Sequence, residues 1–319
     1  MPSLKSPRKG SLQFWPRKRA SKFLPRVNWS AVSGKSKGLT GFICYKAGMK
    51  TAYAQDNTPA SMTKDKKITI PVTILECPPT KIFSIRFYKD SKVAKDVLVE
   101  NLEKELKRKV KLPKTKENKL GAIKTEDYDD VKVIIYSIVK KTGLKKVPDL
   151  SEMDVVGANI DDKMVWIKEN LNKEISALDI FEQGQSVDMR GLTKGKGLVG
   201  PMKRFGLKLK QHKSEKGRRR PGNVGPWHPA RVTFRVPMAG QLGMFTRVIY
   251  NNKIIDMGKI TDENKDKFKN IKNYGNVKTD YIILRGSVQG PAKRQLLITS
   301  TIRESKKQAK KKFDLLEIR

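Results

Sequence analysis

Histidine and cysteine are nearly missing from this sequence, with two of each among 319 residues. Cys44 and Cys77 lie far apart along the chain, which excludes a disulfide framework and a CxxC metal or redox site. His212 and His228 each sit in a basic stretch with no neighbouring carboxylate, so the parts of an acid–base pair or a hydrolase triad are not there. Four such scattered residues do not suit a zinc site either. No apolar run approaches the roughly 18–20 residues that span a bilayer, and no apolar stretch follows the N-terminal charges. The expectation is a cytoplasmic chain without metal, cofactor or catalytic residues. In that setting the Asn28-Trp29-Ser30 sequon carries no meaning.

Acid is missing in a more telling way. The chain carries 69 Lys and Arg against 32 Asp and Glu, a net charge of +37, but the excess is not spread evenly. Residues 1–50 hold 12 basic side chains and no acid, and residues 189–247 hold 15 with Glu215 alone opposing them. Residues 51–188, with 25 basic and 23 acidic side chains, have the balance of an ordinary globular segment. Residues 248–319 carry 17 and 8, with much of the excess in the run from Lys306 to Lys312. Acid-free blocks repel themselves until a polyanion neutralises them, and this pattern points to nucleic acid. An acidic membrane surface needs an amphipathic helix, and these blocks are broken by Gly and Pro.

The length suggests about two globular units with a sizeable core. Pro2, Pro7, Pro16 and Pro25, with Trp15 and Trp29 between basic clusters, predict an extended arm over 1–38. Ile68, Ile70, Val72 and Ile74 alternate with polar residues and predict a strand, with Pro71 favouring a sheet edge. Further strands are expected at Val232–Val236, Val248–Ile255, Tyr281–Leu284 and Leu296–Ile302. Between these sets, Val93, Val97, Leu98, Leu102 and Leu106 fall on a helical stripe, Val131–Val139 reads as a buried strand, and Met164, Ile167, Leu171 and Ile175 predict a second helix. The fold class expected is therefore mainly β, a strand framework over 39–76 and 181–319 interrupted by an α+β insert over 77–180. Within it, 189–247 is a Gly-rich extension too poor in apolar residues to order itself.

Three motifs invite functional readings. Gly195-Lys196-Gly197-Leu198-Val199-Gly200 matches GxGxxG, but Pro201 follows and Arg218-Arg219-Arg220 stand where a ribose-binding acid belongs, so a dinucleotide site fails on context. A Walker loop fails on spacing and on Gly197 in place of Ser or Thr. What remains is a backbone free to approach phosphates, with Lys194, Lys196, Lys203 and Arg204 to neutralise them. Glu126, Asp127, Asp129 and Asp130 read as a solvated turn rather than a cation site. Finally, Pro221, Gly222, Gly225, Pro226 and Pro229 stiffen a non-helical path around Trp227, whose indole either stacks on an unpaired base or folds back as core.

RKGSLQFWPRKRA, GLTKGKGLVGPMKRFG, GPWHPAR and VPMAGQLGMFTR, in that order from residue 8 to residue 247, closely resemble the universal large-subunit ribosomal protein three family in its archaeal and eukaryotic form. The resemblance implies a translation-protein-type six-stranded β-barrel with an inserted α+β domain. It also implies an early-assembling structural protein that organises large-subunit rRNA near its 3′ end, touches neighbouring large-subunit proteins and forms no homo-oligomer. Residues 189–247 then extend toward the peptidyl-transferase centre with Trp227 at the tip, and the arm runs alongside. The rRNA-contacting residues so implied are Lys5, Arg8, Lys9, Trp15, Arg17, Lys18, Arg19, Lys22, Arg26, Lys35 and Lys37 in the arm. In the extension they are Arg190, Lys194, Lys196, Lys203, Arg204, Lys208, Lys210, Lys213, Lys216, Arg218, Arg219, Arg220, Trp227, His228, Arg231 and Arg247. Glu215 stands where some eukaryotic members carry a His in the basic hook, so no role of that His transfers. The contrasting reading is an assembly or RNA-modification factor with basic targeting arms; a duplex-DNA binder fits less well, because shaped Gly/Pro-rich arms suit irregular RNA.

Overall fold

The computed structural model describes residues 7–32, 34, 38–113, 125–213, 215–262 and 264–319. These divide into two units. The larger comprises Leu24–Gly191 and Val248–Arg319; the smaller comprises the described residues up to Phe23 together with Leu192–Arg247.

In chain order the strands are β1 (Gly38–Leu39), β2 (Gly41–Asp56), β3 (Lys67–Cys77), β4 (Thr80–Lys89), β5 (Lys92–Leu98), β6 (Asp130–Ser137) and β7 (Leu150–Val156), followed by helix α1 (Ile160–Asn170) and β8 (Ser186–Leu192). The smaller unit contributes β9 (Gly197–Val199), α2 (Pro201–Phe205) and β10 (Gly240–Leu242). Then come β11 (Thr246–Gly258), β12 (Asp280–Arg285), β13 (Gln295–Ser300), α3 (Lys306–Ala309) and β14 (Phe313–Ile318).

One sheet of the larger unit runs β13-β8-β11-β12-β3-β2-β14, and β13 also pairs with β2. Hydrogen bonding from β2 thus passes through five other strands and returns to it, with β14 joined to the far half of β2. A second, antiparallel sheet runs β1-β7-β6-β4-β5. The first seven residues of β2 are all buried and its second half alternates. Phe42, Ile43, Tyr45 and Leu75 share one core cluster with Ile82, Ile85, Val131 and Ile135 of the second sheet, so the start of β2 is covered on both faces. Helix α1 adds Met164 and Ile167 to the same cluster. Its start is set by Asp162, whose carboxylate accepts the Asn159 N–H at 3.4 Å, and acids in the first turn suit the helix N-terminus.

Two buried polar ties fix the larger unit. The Tyr45 hydroxyl donates to Asp149 at 2.6 Å and lies 2.8 Å from the Ser137 hydroxyl, joining β2 to the second sheet. Burial, and then the Asp149 charge, push that phenol well above its ordinary pKa, so it stays a donor. At the end of β3, fully buried Glu76 accepts the backbone N–H of Lys278 at 2.8 Å and of Thr279 at 3.1 Å, the Thr279 hydroxyl at 3.2 Å, and the Tyr274 hydroxyl. One carboxylate thereby anchors the loop that leads into β12.

Several sequence expectations are corrected. The stripe from Val93 to Leu106 is not a helix: Asp90 and Ser91 both have positive φ, 50° and 61°, and form a two-residue turn between paired strands β4 and β5. Only Lys104–Arg108 turns, as a short 3-10 helix that buries Leu106. Val232–Val236 forms no strand, because alternation without a partner to pair with does not make one. Within the arm, Trp29 and Val32 are buried in the core of the larger unit, so only part of it extends. Asp130 is not simply solvated, since it accepts from Lys163 at 2.7 Å. Cys44 and Cys77, distant in sequence, lie on the paired strands β2 and β3; burial first, and then nearby Cys44, raise the Cys77 pKa.

Pro71 lies on an interior strand, not an edge, and the ladder shows how this is tolerated. Gly286 donates its N–H to the Pro71 carbonyl at 2.7 Å, but Pro71 has no N–H to return. The Gly286 carbonyl accepts from the Thr73 hydroxyl at 2.7 Å instead. Thr73→Val, nearly equal in shape, removes that donor in a fully buried position. The expected cost is about 1–2 kcal/mol in chemical denaturation, and an unchanged midpoint would refute the substitution of side chain for backbone donor.

Candidate nucleic-acid interface

The smaller unit is built from two segments with almost no acid: six Lys and Arg in 7–23, fourteen in 192–247, and Glu215 as the single carboxylate. Its base is a two-legged stem. Thr193 donates its N–H to the Phe245 carbonyl at 3.0 Å, Lys196 donates to Leu242 at 2.9 Å, and β9 pairs with β10 from Gly197↔Leu242 to Val199↔Gly240. Gly243, at φ +75°, turns so close to the opposite leg that a Cβ there would fall 1.9 Å from the Lys194 carbonyl oxygen. Pro201 opens α2 at a position that needs no N–H, and Gly206 closes it in the left-handed region.

Arg204 fastens the legs. Its Nε donates to the Gln241 carbonyl and its Nη1 to the Met238 carbonyl, both at 3.0 Å. The arm is held to this stem in turn: Ala20 donates to the Met244 carbonyl at 2.9 Å, and Arg17 Nη1 donates to the Arg204 carbonyl at 3.0 Å. The Arg17 guanidinium lies 4.4 Å from the buried Phe205 ring, and Arg247 lies 4.2 Å from Phe14. Trp15 meets Phe234 at 5.6 Å. Burial first, then the charges of Arg204, Arg8 and Arg247, lower the Arg17 pKa, the mark of cations crowded without counter-charge. The expectation that 189–247 cannot order itself is corrected for the stem. Segment 192–206 with 240–247 is ordered by strand pairing, a buried Phe205 and the Arg204 clasp.

From Lys208 to Ala239 nearly every described residue is exposed. Backbone bonds there are local, such as Lys210 to Arg218 at 3.2 Å and Gly225 to the Asn223 side chain at 3.0 Å. Lys210 also pairs with Glu215. Trp227 is 88% exposed, so of its two readings the folded-back core is overturned.

Most residues singled out from sequence lie at this surface. Arg8, Lys9, Lys18, Arg19 and Lys22 of the arm are exposed, as are Lys194, Lys196, Lys203, Lys208, Lys213, Lys216, Arg218, Arg219, Arg220, His228 and Arg231. Trp15, Arg17, Arg204, Lys210 and Arg247 are half-buried. Arg26 is exposed on the larger unit. Lys5, Lys35 and Lys37 lie outside the described residues. Arg190 is a correction: it is buried in β8, with Nε 3.3 Å from the Thr299 hydroxyl and Asp188 beside it, so it serves the sheet and not a phosphate. Phe14, Phe205 and Phe245 were missed, although each stands close to an Arg in sequence or across the stem; the signal was the aromatic and cationic interleaving. Among the described residues no group of three or more His, Cys, Asp or Glu is placed to hold a metal ion.

A rigid base carrying an exposed polycation with an indole near its end is suited to neutralise phosphates and offer a ring to a base. Comparison with known proteins points the same way. The family model for ribosomal protein L3 matches residues 1–319. The large ribosomal subunit protein uL3 of Methanocaldococcus jannaschii is 38% identical over 313 residues, covering 94% of this chain and 92% of that protein. The uL3 proteins of Methanococcus vannielii and Methanosphaera stadtmanae are 39% and 37% identical, covering 98% and 95% of this chain and 95% and 93% of theirs.

Proposed function

Because the chain belongs to the ribosomal protein L3 family, we propose that it binds large-subunit rRNA through its smaller unit and acts early in assembly of the subunit. It is a structural constituent of the large ribosomal subunit in the cytoplasm, not an enzyme, and its partners are large-subunit rRNA and other ribosomal proteins. The observation that carries the rRNA reading is the smaller unit's charge, twenty cations against Glu215, around a stem that leaves Lys208–Ala239 exposed. No fold formed by this chain alone compensates such a charge; rRNA phosphates do.

The finer reading follows the same line. We read the six-strand ring as the translation-protein-type barrel, strands β4–β7 of the second sheet with α1 as the inserted α+β domain over 77–180, and 1–38, apart from the buried Trp29 and Val32, with 189–247 as the arm and extension. The extension reaches toward the peptidyl-transferase centre with Trp227 foremost, and the rRNA contacts lie near the 3′ region. Support comes from β13 pairing with β2, from the alternation of basic and aromatic residues, and from the exposure of Trp227. The protein acts as a single copy.

Sedimentation of the endogenous protein at low and high salt tests this. RNA affinity falls with a log–log slope of about 0.7–0.9 per neutralised phosphate, so a superficial cation washes off while arms enclosed by rRNA stay with the subunit. Release into light fractions would favour the rival assembly or modification factor. Trp227→Ala is expected to leave subunit yield intact and to change tRNA accommodation or sensitivity to peptidyl-transferase antibiotics, because a stacked base is worth about 1–3 kcal/mol. Wild-type behaviour in both assays would remove Trp227 from the tip.

A further inference from the structure

The smaller unit contains a groove of about 330 Å³, walled by Gln13–Lys18 and Ala20 on one side and by Phe245–Arg247 on the other. We infer that this groove is a nucleobase-binding site, in which one unpaired nucleotide of the bound RNA stacks on Phe14 and continues a stack already begun by Phe245 and Arg247. The inference rests on the rRNA reading above and adds a site to it.

The walls support a flat aromatic ligand more than a bare phosphate. The Arg247 guanidinium lies 4.2 Å from the Phe14 ring and 5.3 Å from the Phe245 ring, and its Nη1 donates to the Thr246 carbonyl at 2.8 Å, so this side chain is built into the wall. Phe14 is 50% exposed, which leaves ring surface open to a ligand. Gln13 and Thr246 bring an amide and a hydroxyl to the same lining, the groups that read a base edge, and the lining holds no carboxylate to repel the attached phosphate. Exposed Lys18 of the lining stands to receive that phosphate, while Arg17, whose Nη1 goes to the Arg204 carbonyl, holds the wall.

The groove is also built before any ligand arrives. Ala20 is bonded to Met244 and Arg17 to Arg204, both of the stem, so neither wall needs to be ordered by binding. Its volume lies at the low end of the roughly 300–1,000 Å³ range of small-ligand sites, which suits a single nucleotide and not a duplex.

The test uses large subunits assembled with wild-type, Phe14→Ala or Phe14→Tyr protein, probed in two ways. Ultraviolet cross-linking with peptide mapping is expected to give a base adduct on the Gln13–Lys18 or Phe245–Arg247 peptide in wild type. Chemical probing of base edges is expected to find one unpaired nucleotide that is protected in wild type and exposed in Phe14→Ala. Loss of one stacked base corresponds to about a 5- to 150-fold weaker occupancy, and Phe14→Tyr restores protection because the ring is kept. Adducts through ribose and phosphate alone, with identical base reactivity in all three subunits, would overturn the groove while leaving the rRNA reading intact. Absence of the wild-type protein from the subunit would instead overturn the rRNA reading itself.

Discussion

Glu76→Ala is expected to cost about 4 kcal/mol or more, enough to unfold a domain of ordinary stability. The carboxylate is wholly buried, and four donors converge on it: two backbone N–H groups, the Thr279 hydroxyl and the Tyr274 hydroxyl. An alanine leaves all four in a cavity, and each unsatisfied buried donor costs about 1–3 kcal/mol. Tyr274 does not relieve the loss by ionising, since burial, the first cause of its raised pKa, persists when the Glu76 charge is removed. Glu76→Gln keeps the shape and one acceptor and should recover about half of the loss. Denaturation midpoints of the three proteins check the ordering; a Glu76→Ala midpoint within error of wild type would mean that water fills the site at no cost.

The second large effect is expected in the stem of the smaller unit. Gly243→Ala places a methyl carbon 1.9 Å from the Lys194 carbonyl oxygen at a φ of +75°, so the two legs must part. The clash and the left-handed backbone together should cost about 3 kcal/mol or more. Gly206→Ala is the matched control: φ is +66°, but nothing lies within 4 Å of the added carbon. Its cost should be only about 1–2 kcal/mol. Limited proteolysis at the Lys and Arg of Lys208–Arg231, together with retention on salt-washed subunits, separates the two. Equal protease resistance of both variants would show that the stem is not what positions the extension.

Much of this architecture was legible in the sequence, and the rest was hidden for identifiable reasons. β3 announces itself through alternation, β6, β12 and β13 through β-branched apolar runs, and α1 through Met164, Ile167 and Leu171, although Ile175 of the same stripe lies beyond its end. The Val93–Leu106 stripe misled because its apolar residues fall at helical spacing while serving different elements, Val93, Val97 and Leu98 in β5, Leu102 in the loop after it and Leu106 in a short 3-10 helix. Ring closure between β2 and β13, and the nearness of Cys44 to Cys77, depend on register, a property of pairs of strands and not of either one. In the candidate interface, charge marked the segment but not the division of labour. Arg17 and Arg204 spend donors on backbone carbonyls, and Arg190 is enclosed in the sheet, while Phe14, Phe205 and Phe245 supply the rings between.

The make-up of the smaller unit has a consequence for the order in which the chain is made. Its two segments, ending at Phe23 and beginning at Leu192, are separated by the greater part of the larger unit. At about 5–20 residues per second, roughly 10–45 s pass between the emergence of the arm and completion of the stem that holds it, whose second leg ends near Arg247. Through that interval the arm is a bare polycation with Phe14 and Trp15 uncovered, attached to a domain that is already able to begin folding. The topology thus sets a window during translation in which any nearby polyanion competes with the native partner, and the length of that window grows in proportion as elongation slows.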